Sequence, residues 1–356
     1  MRLPFPRRRS VRAGLAVGIA AAAGALVWWR GPAWGAFDDA FRVVSWHWVF
    51  AAIALNLLSV VVRAFAWRAV IQQALPRPHP RFPLVFSAFS VGLMANAVLP
   101  GRIGELAHVA VLTRRLASRS RARAWATLVG TVFAHRIFDV VPAMLLIAYV
   151  LLTARIPNWA VSSLIAFAAI GTVLLTFAIA SARGQHALPL DGLGVVRRLV
   201  RMGRHGLAVL RAPLASVVAA AFQCLGWLFQ LLAVYTALLA FHLDASLPAA
   251  ALVLVLMNVA TIFPLWPGNV GLTQAAIALP LVSQYGVDYA HAIAFGLGLQ
   301  AIEASVGIGV GLLFLAREGL SFTMLRVMPD AAHADVPVEA AAAERDGKRE
   351  SARVPD

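Results

Sequence analysis

The sequence predicts an all-α polytopic membrane protein, with about six full transmembrane helices and two re-entrant helical hairpins arranged as an inverted repeat. Three observations predict it. Of 356 residues, 61% are hydrophobic and only 13% charged, and several apolar runs approach the ~20 residues needed to cross a bilayer. Arginines collect at the ends of those runs, and no lysine or arginine occurs between Arg211 and Arg317. Finally, a helix-breaking skeleton, Pro100-Gly101-Arg102-Ile103-Gly104, recurs 167 residues later as Pro267-Gly268-Asn269-Val270-Gly271. Matched breaks in two halves of a membrane chain point to a substrate site at a repeat interface.

The formal charge of +15 would suggest nucleic acid in a soluble chain. Here the positive residues flank apolar runs, as a cytoplasmic-side bias requires, and no aromatic-interleaved basic surface is present, so nucleic acid is not an expected partner. Cys224 is the single cysteine, which excludes an intrachain disulfide framework and any cysteine-based metal cluster. No metal or other cofactor is expected.

Taken in order, residues 1–12 carry Arg2, Arg7, Arg8, Arg9 and Arg12, a basic cytoplasmic N-terminus ahead of an uncleaved first span from Ala13 to Trp29. Residues 13–328 form the membrane domain, with repeat halves at about 43–152 and 214–316. Arg30 to Arg42 is expected to be a short linker on the outer side, with Asp38 and Asp39 balancing its arginines. The run from Val43 to Val62 returns inward and ends at Arg63, Arg68, Arg77 and Arg81. Pro76, Pro78 and Pro80 then forbid helix. Pro83 to Leu99 is apolar and Glu105 to Leu116 is a shorter helix leading to Arg114, Arg115 and Arg119. A helix that short could not bring those arginines back across a bilayer, at ~1.5 Å per residue. The segment is therefore expected to enter and leave from the cytoplasm, turning at Pro100 and Gly101. Broken backbone of this kind survives only inside protein or beside a cavity.

Trp125 to Leu152 and Trp159 to Ala180 are expected to cross outward and back. Arg183 to Arg211 is a basic cytoplasmic segment, with Arg197, Arg198, Arg201 and Arg204 along one side of a surface helix. Leu214 to Phe241 crosses outward, Leu247 to Phe263 re-enters from outside, Leu272 to Ser283 leaves, and Ala290 to Ala316 returns to the cytoplasm. Residues 329–356 are polar and of mixed charge, too poor in apolar side chains to pack, and are expected to be a disordered cytoplasmic tail. This places both termini in the cytoplasm and the chain in the plasma membrane.

Ionisable residues inside spans are costly and mark function by default. One group is Arg102, Glu105 and His108 at the first break, where Glu105 either caps the short helix or joins Arg102 in an anion site. A second is His135, Arg136 and Asp139, which share one face of the long span. They are either an internal ion pair that fixes packing or a headgroup ligand with its orienting partner; a proton-coupled His135 is the alternative to the expected neutral, hydrogen-bonded one. Glu303, with Gln300 beside it, has no cation in its own half and is expected to pair with Arg102 or Arg136, to be hydrated, or to be protonated. Gln223, Gln230 and Asn258 fit interhelical hydrogen bonds. The turn residues are Pro100, Gly101, Gly104, Pro267, Gly268 and Gly271. No zinc spacing, phosphate-binding loop or serine elbow is present.

The run from Asn96 to Glu105, the Arg63 to Trp67 segment, His135-Arg136-Ile137-Phe138-Asp139 and the Pro267 to Gly271 turn together resemble the lysylphosphatidylglycerol synthase transmembrane, or flippase-like, family. The likeness spans about Val43 to Ala316. The family pattern has glutamate at position 135, glycine at 269 and glutamate at 274, where this sequence has His135, Asn269 and Gln274. The resemblance implies translocation of a phospholipid or lipid-linked anionic headgroup between leaflets, with the phosphate against Arg102 and Arg136. The alternatives are a secondary transporter of a small anion and a non-transporting accessory subunit of envelope lipid or glycan synthesis. Membrane lipids are the expected partners, with envelope-lipid biosynthesis enzymes as further ones. Full-length synthases of the family carry a soluble transferase domain where this chain has a short polar tail, so enzymatic aminoacyl transfer is not expected.

Overall fold

The computed structural model describes residues 34–75, 77–98, 104–115, 121–183, 209, 211–244, 246–262 and 269–317. Expectations for the basic N-terminus, the first span, the segment between Arg183 and Arg211 and the polar tail lie outside these residues, as do Pro100, Gly101, Arg102, Pro267 and Gly268.

Ten helices and no strands are found among the described residues: α1 (Trp34–Arg42), α2 (Trp46–Ala74), α3 (Phe82–Val98), α4 (Gly104–Arg115), α5 (Arg121–Thr153), α6 (Asn158–Arg183), α7 (Pro213–Ala240), α8 (Leu247–Ala260), α9 (Leu272–Tyr285) and α10 (Tyr289–Arg317). Five of them, α2, α5, α6, α7 and α10, are long and apolar enough to cross a membrane. The chain is thus a polytopic α-helical membrane protein. Local chemistry sets the ends. Proline sits in the first turn of α7 and α8, where its missing N–H costs nothing. Gly286, in the left-handed region at φ 67°, stops α9.

One boundary differs from the sequence reading. Arg63 is not the cytoplasmic end of the second span, because α2 continues eleven residues further, to Ala74. Beyond Arg63 the run Ala64-Phe65-Ala66-Trp67 and then Val70 and Ile71 stays apolar, and Ala64, Ala66, Trp67, Val70 and Ile71 are buried. An arginine ends a span only when nothing inside the protein neutralises it, and here a partner comes from α5.

The helices fall into two sets of four. Those of α2–α5 and α7–α10 begin 165 to 168 residues apart (46 and 213, 82 and 247, 104 and 272, 121 and 289). Packing repeats with the sets exchanged: α3 lies on α10 as α8 lies on α5, α4 on α5 as α9 on α10, and α2 on α3 as α7 on α8. The central contact is α2 against its counterpart α7. Ser45 N–H at the start of α2 donates to Ala240 O at the end of α7 (2.9 Å). Midway, the Ser59 hydroxyl donates to Gly226 O (2.7 Å), and Phe65 stacks on Phe222. The two counterparts therefore run antiparallel.

Each set contains a pair of short helices. Asn96 meets Gly104 and Gly92 meets His108, so α3 and α4 are also antiparallel. A Cβ on Gly104 would lie 2.1 Å from Gly92 O, and one on Gly92 would overlap the His108 ring. Only glycine permits so close a crossing. In the other set the chain re-enters helix through Asn269 (φ 47°) and Gly271 (φ 94°). The left-handed backbone at 269 suits asparagine, which is among the few side chains that tolerate that region. Its Nδ2 also donates to Ala260 O at the end of α8 (3.2 Å). Gln274 replaces glutamate without losing the cap. Its Oε1 accepts from Gly271 N–H (2.5 Å), and its Nε2 donates to Gln300 on α10.

Candidate functional site

The side chain that organises the site is Asp139, halfway along α5. Its Oδ1 accepts from Arg63 Nη2 of α2 (3.2 Å), from Trp227 Nε1 (2.9 Å) and from Gln223 Nε2, the last two on α7. Its Oδ2 accepts from Arg136 Nη1, one helical turn away (3.1 Å). Arg136 in turn pairs through Nη2 with Glu105 at the start of α4. Four helices thus converge on two guanidinium groups and two carboxylates. Each acid faces a cation and each cation an acid, which is the condition for holding charge away from water.

Local sequence makes this geometry possible. Gly226 lets Arg63 lie across α7, since a Cβ there would meet Arg63 Cγ at 2.5 Å. Gln223 and Trp227, four residues apart, project along the same stripe toward α5. Trp67, four residues after Arg63, is fully buried and donates to the Thr131 hydroxyl (3.2 Å), which fixes α2 against α5. The arginines are not equivalent. The Arg63 side chain is 17% exposed and Arg136 43%, so Arg136 is the more accessible guanidinium.

It is presented to a cavity of about 640 Å³, within the range of small-molecule sites. One end is ionic, formed by Arg63, Glu105, Arg136 and Asp139 with Trp227 beside them, and Asn258 and Thr261 are the other polar lining residues. The rest of the wall is apolar and includes Phe133, Met144, Phe167, Ile170, Leu174 and Ile262 from α5, α6 and the end of α8. Several of these, Phe133, Ile170, Leu174 and Ile262, are also on the protein's exposed apolar surface. The chamber therefore opens onto an exposed apolar surface, and α6 is the least buried of the five long helices.

Of the residues singled out in the sequence, Glu105, Arg136 and Asp139 meet at the polar end. His135 and His108 do not line the cavity. His108 is buried edge-on between Trp67 and Phe89. His135 packs on Phe89, and neither of its ring nitrogens has a hydrogen-bond partner among the described residues, contrary to the expected hydrogen-bonded histidine. Helical spacing put His135 beside Arg136 and Asp139, but adjacent positions diverge by about 100° around a helix. Arg136 is committed to Glu105 and Asp139 rather than to Glu303. Glu303 lies off the cavity and accepts from Gln230 Nε2 (3.4 Å). Gly104 and Gly271 each begin or precede a short helix, as expected of turn residues.

Arg63 as a partner of Asp139, and Trp227 and Gln223 as donors to it, were not anticipated as site residues. Gln223 does make the interhelical bond expected of it. The apolar run continuing past Arg63 was the available signal for the first. Among the described residues no group of three His, Cys, Asp or Glu side chains is placed to hold a metal.

A family model described as the lysylphosphatidylglycerol synthase TM region matches residues 14–333. No curated protein and no solved structure matches the chain.

Proposed function

Since the chain belongs to the lysylphosphatidylglycerol synthase TM region family, we propose that it moves a phospholipid, or a lipid-linked anionic headgroup, between the leaflets of the plasma membrane. The observation that carries this is the cavity's division into an ionic end and an apolar wall that opens onto an exposed apolar surface. An amphiphile has the same division. Its phosphate would share the outward N–H groups of Arg136, five donors on a planar fork of which two face carboxylates. Its tails would leave past Ile170 and Leu174 without crossing a polar barrier. A small soluble anion has no use for that wall.

The reading takes the two sets of four helices as an inverted repeat. Support comes from the constant sequence offset, the exchanged packing pairs and the antiparallel run of α2 and α7. It takes the pairs α3–α4 and α8–α9 as re-entrant hairpins. Helices of 12 to 17 residues reach only about 18–26 Å at 1.5 Å per residue, short of a ~30 Å hydrocarbon core. The arginine-free stretch between Arg211 and Arg317 then puts the second mouth outside, the first mouth and both termini in the cytoplasm. In this reading the protein is a transporter, not an enzyme, and membrane lipid is its partner.

The test is translocation of fluorescent phospholipid and of polyprenyl phosphate in proteoliposomes of the purified chain, with Arg136→Ala as the variant. Lipid movement in the wild type and at least a tenfold loss in the variant are expected. Uptake of a soluble anion into the same vesicles, with no lipid movement, would replace this reading by that of a small-anion carrier.

A further inference from the structure

Glu303 has no role in the cavity, yet it lies fifteen residues into the 29-residue α10, the middle of a span, where a carboxylate is costly. Its register is informative. Glu303 occupies in α10 the position of Arg136 in α5, and Gln230 occupies in α7 that of Arg63 in α2, each 167 residues later. Where one half carries two arginines, the other carries at the matching positions one acid and one amide.

The two carboxylates are treated very differently. Asp139 accepts hydrogen bonds from Arg63, Arg136, Gln223 and Trp227, as a permanent anion requires. Glu303 accepts from Gln230 at 3.4 Å, near the limit of a hydrogen bond. The helices packed on α10 offer it little charge. α3 has no titratable residue, α9 has only Tyr285 and α7 only Cys224 and Tyr235. α1 carries Asp39 and the mutually paired Asp38 and Arg42. α2 carries His47, Arg68 and Arg63, and α10 itself His291 near one end and Arg317 at the other. Of the cations, Arg63 stands near the middle of α2, which packs directly on α10, and it is bound to Asp139.

Two orphaned atoms complete the picture. Among the described residues, Gln230 Oε1 is buried with no hydrogen-bond partner, and so is Arg63 Nε. A neutral carboxylic acid is the complement of a primary amide. Gln230 Nε2 would still donate to one oxygen of Glu303, and the acid's O–H would donate to Gln230 Oε1, satisfying both partners. When the proton leaves, the carboxylate becomes a competitor with Asp139 for Arg63.

We propose that Glu303 and Gln230 form a proton-binding site whose loading is linked through Arg63 to the ionic end of the cavity. The proton resides on Glu303 while Arg63 serves Asp139. Its release draws Arg63 toward Glu303 and loosens the hold on Asp139 and Arg136, which changes affinity for an anionic headgroup. Use of that proton to drive lipid movement rests on the transport reading above. The proton site itself does not.

The test is infrared difference spectroscopy of the purified full chain in nanodiscs, stepped from acid to alkaline buffer. A carboxylic-acid carbonyl band that appears and disappears with pH is expected. It should be lost in Glu303→Gln and shifted but present in Glu303→Asp; in Asp139→Asn it should be retained but vanish at a lower pH, because the released Arg63 favours the Glu303 carboxylate. Equal thermal melting of wild type and Glu303→Gln separates loss of the group from misfolding. In proteoliposomes that translocate lipid, an imposed pH gradient should alter the rate in wild type and not in Glu303→Gln. An unchanged band in Glu303→Gln, or a band that responds to sodium at constant pH, would overturn the proposal. Absence of lipid transport with the band intact would sink only the transport reading.

Discussion

Replacing Asp139 by asparagine keeps the shape of the side chain and removes its charge. The amide oxygen could still accept from Trp227, so what is lost is chiefly the neutralisation of the guanidinium groups. Arg136 retains Glu105. Arg63, 17% exposed, is left with no carboxylate partner for as long as Glu303 keeps its proton. Orphaning one buried charge costs about 3–5 kcal/mol. Neutral interhelical hydrogen bonds in membranes average only ~0.6 kcal/mol, so weakening the contacts with Gln223 and Trp227 would account for about 1 kcal/mol at most. The two origins are thus separable by size. Equilibrium unfolding by steric trapping in bicelles should find Asp139→Asn destabilised by about 3–5 kcal/mol. Arg63→Gln introduced on top of it should restore roughly 1–3 kcal/mol, since the orphaned cation goes with it. A loss near 1 kcal/mol, or strictly additive single variants, would refute the reasoning that Asp139 is held as an anion by Arg63.

Further outcomes follow from the packing and from the one well-capped end outside the spans. Gly311 of α10 closes against α3, where a Cβ would lie 2.3 Å from Met94 Cβ and 2.8 Å from Ser90 O; the counterparts of Gly311 and Met94, Met144 and Thr261, line the open cavity instead. Gly311→Ala should therefore wedge α10 from α3 and lower stability by about 1–3 kcal/mol, outweighing the ~1 kcal/mol that alanine gains in a helix, and an unchanged or raised melting temperature would contradict the tight seam. At the start of α10 the Asp288 carboxylate accepts from His291 and from the N–H of Ala290 (2.9 Å), and the His291 contacts hold it below the usual carboxylate range. A depressed value stabilises above the unfolded-state pKa and loses that contribution as pH falls through the folded-state one. The melting-temperature gap between wild type and Asp288→Ala should accordingly be present at neutral pH and shrink below about pH 4.

Much of the fold could be read from the chain. The apolar runs, the proline and glycine punctuation and the 167-residue recurrence gave bounds for α3 to α10 that agree with the structure to within a few residues, because each is a local property; α1 instead stands where a short linker is expected, and α2 runs on past its expected end. Arg63 was misread for an equally physical reason. Inside a bilayer an arginine signals an end unless a carboxylate meets it, and that carboxylate, Asp139, lies 76 residues away. Arg136, Asp139 and Glu105 could be nominated from cost alone, since charged groups in spans must be paired. Which pairs with which could not, because partner choice depends on how α2, α4, α5 and α7 cross. The same limit explains Glu303, whose neighbour is the amide of Gln230 rather than an arginine. His135 shows the converse: three residues close in sequence on a helix need not face one cavity.

The central claim is that two antiparallel halves open toward opposite faces of the membrane and share one ionic-ended chamber between them. It is tested most directly by labelling single cysteines in a Cys224→Ala background with a membrane-impermeant thiol reagent applied from each side. Arg81→Cys lies just before α3, at the mouth of the first short-helix pair, and Asp244→Cys precedes α8, at the mouth of the second; both positions are exposed. Arg81→Cys should react only from the cytoplasmic face and Asp244→Cys only from the exterior. Labelling of both from one side would contradict the account.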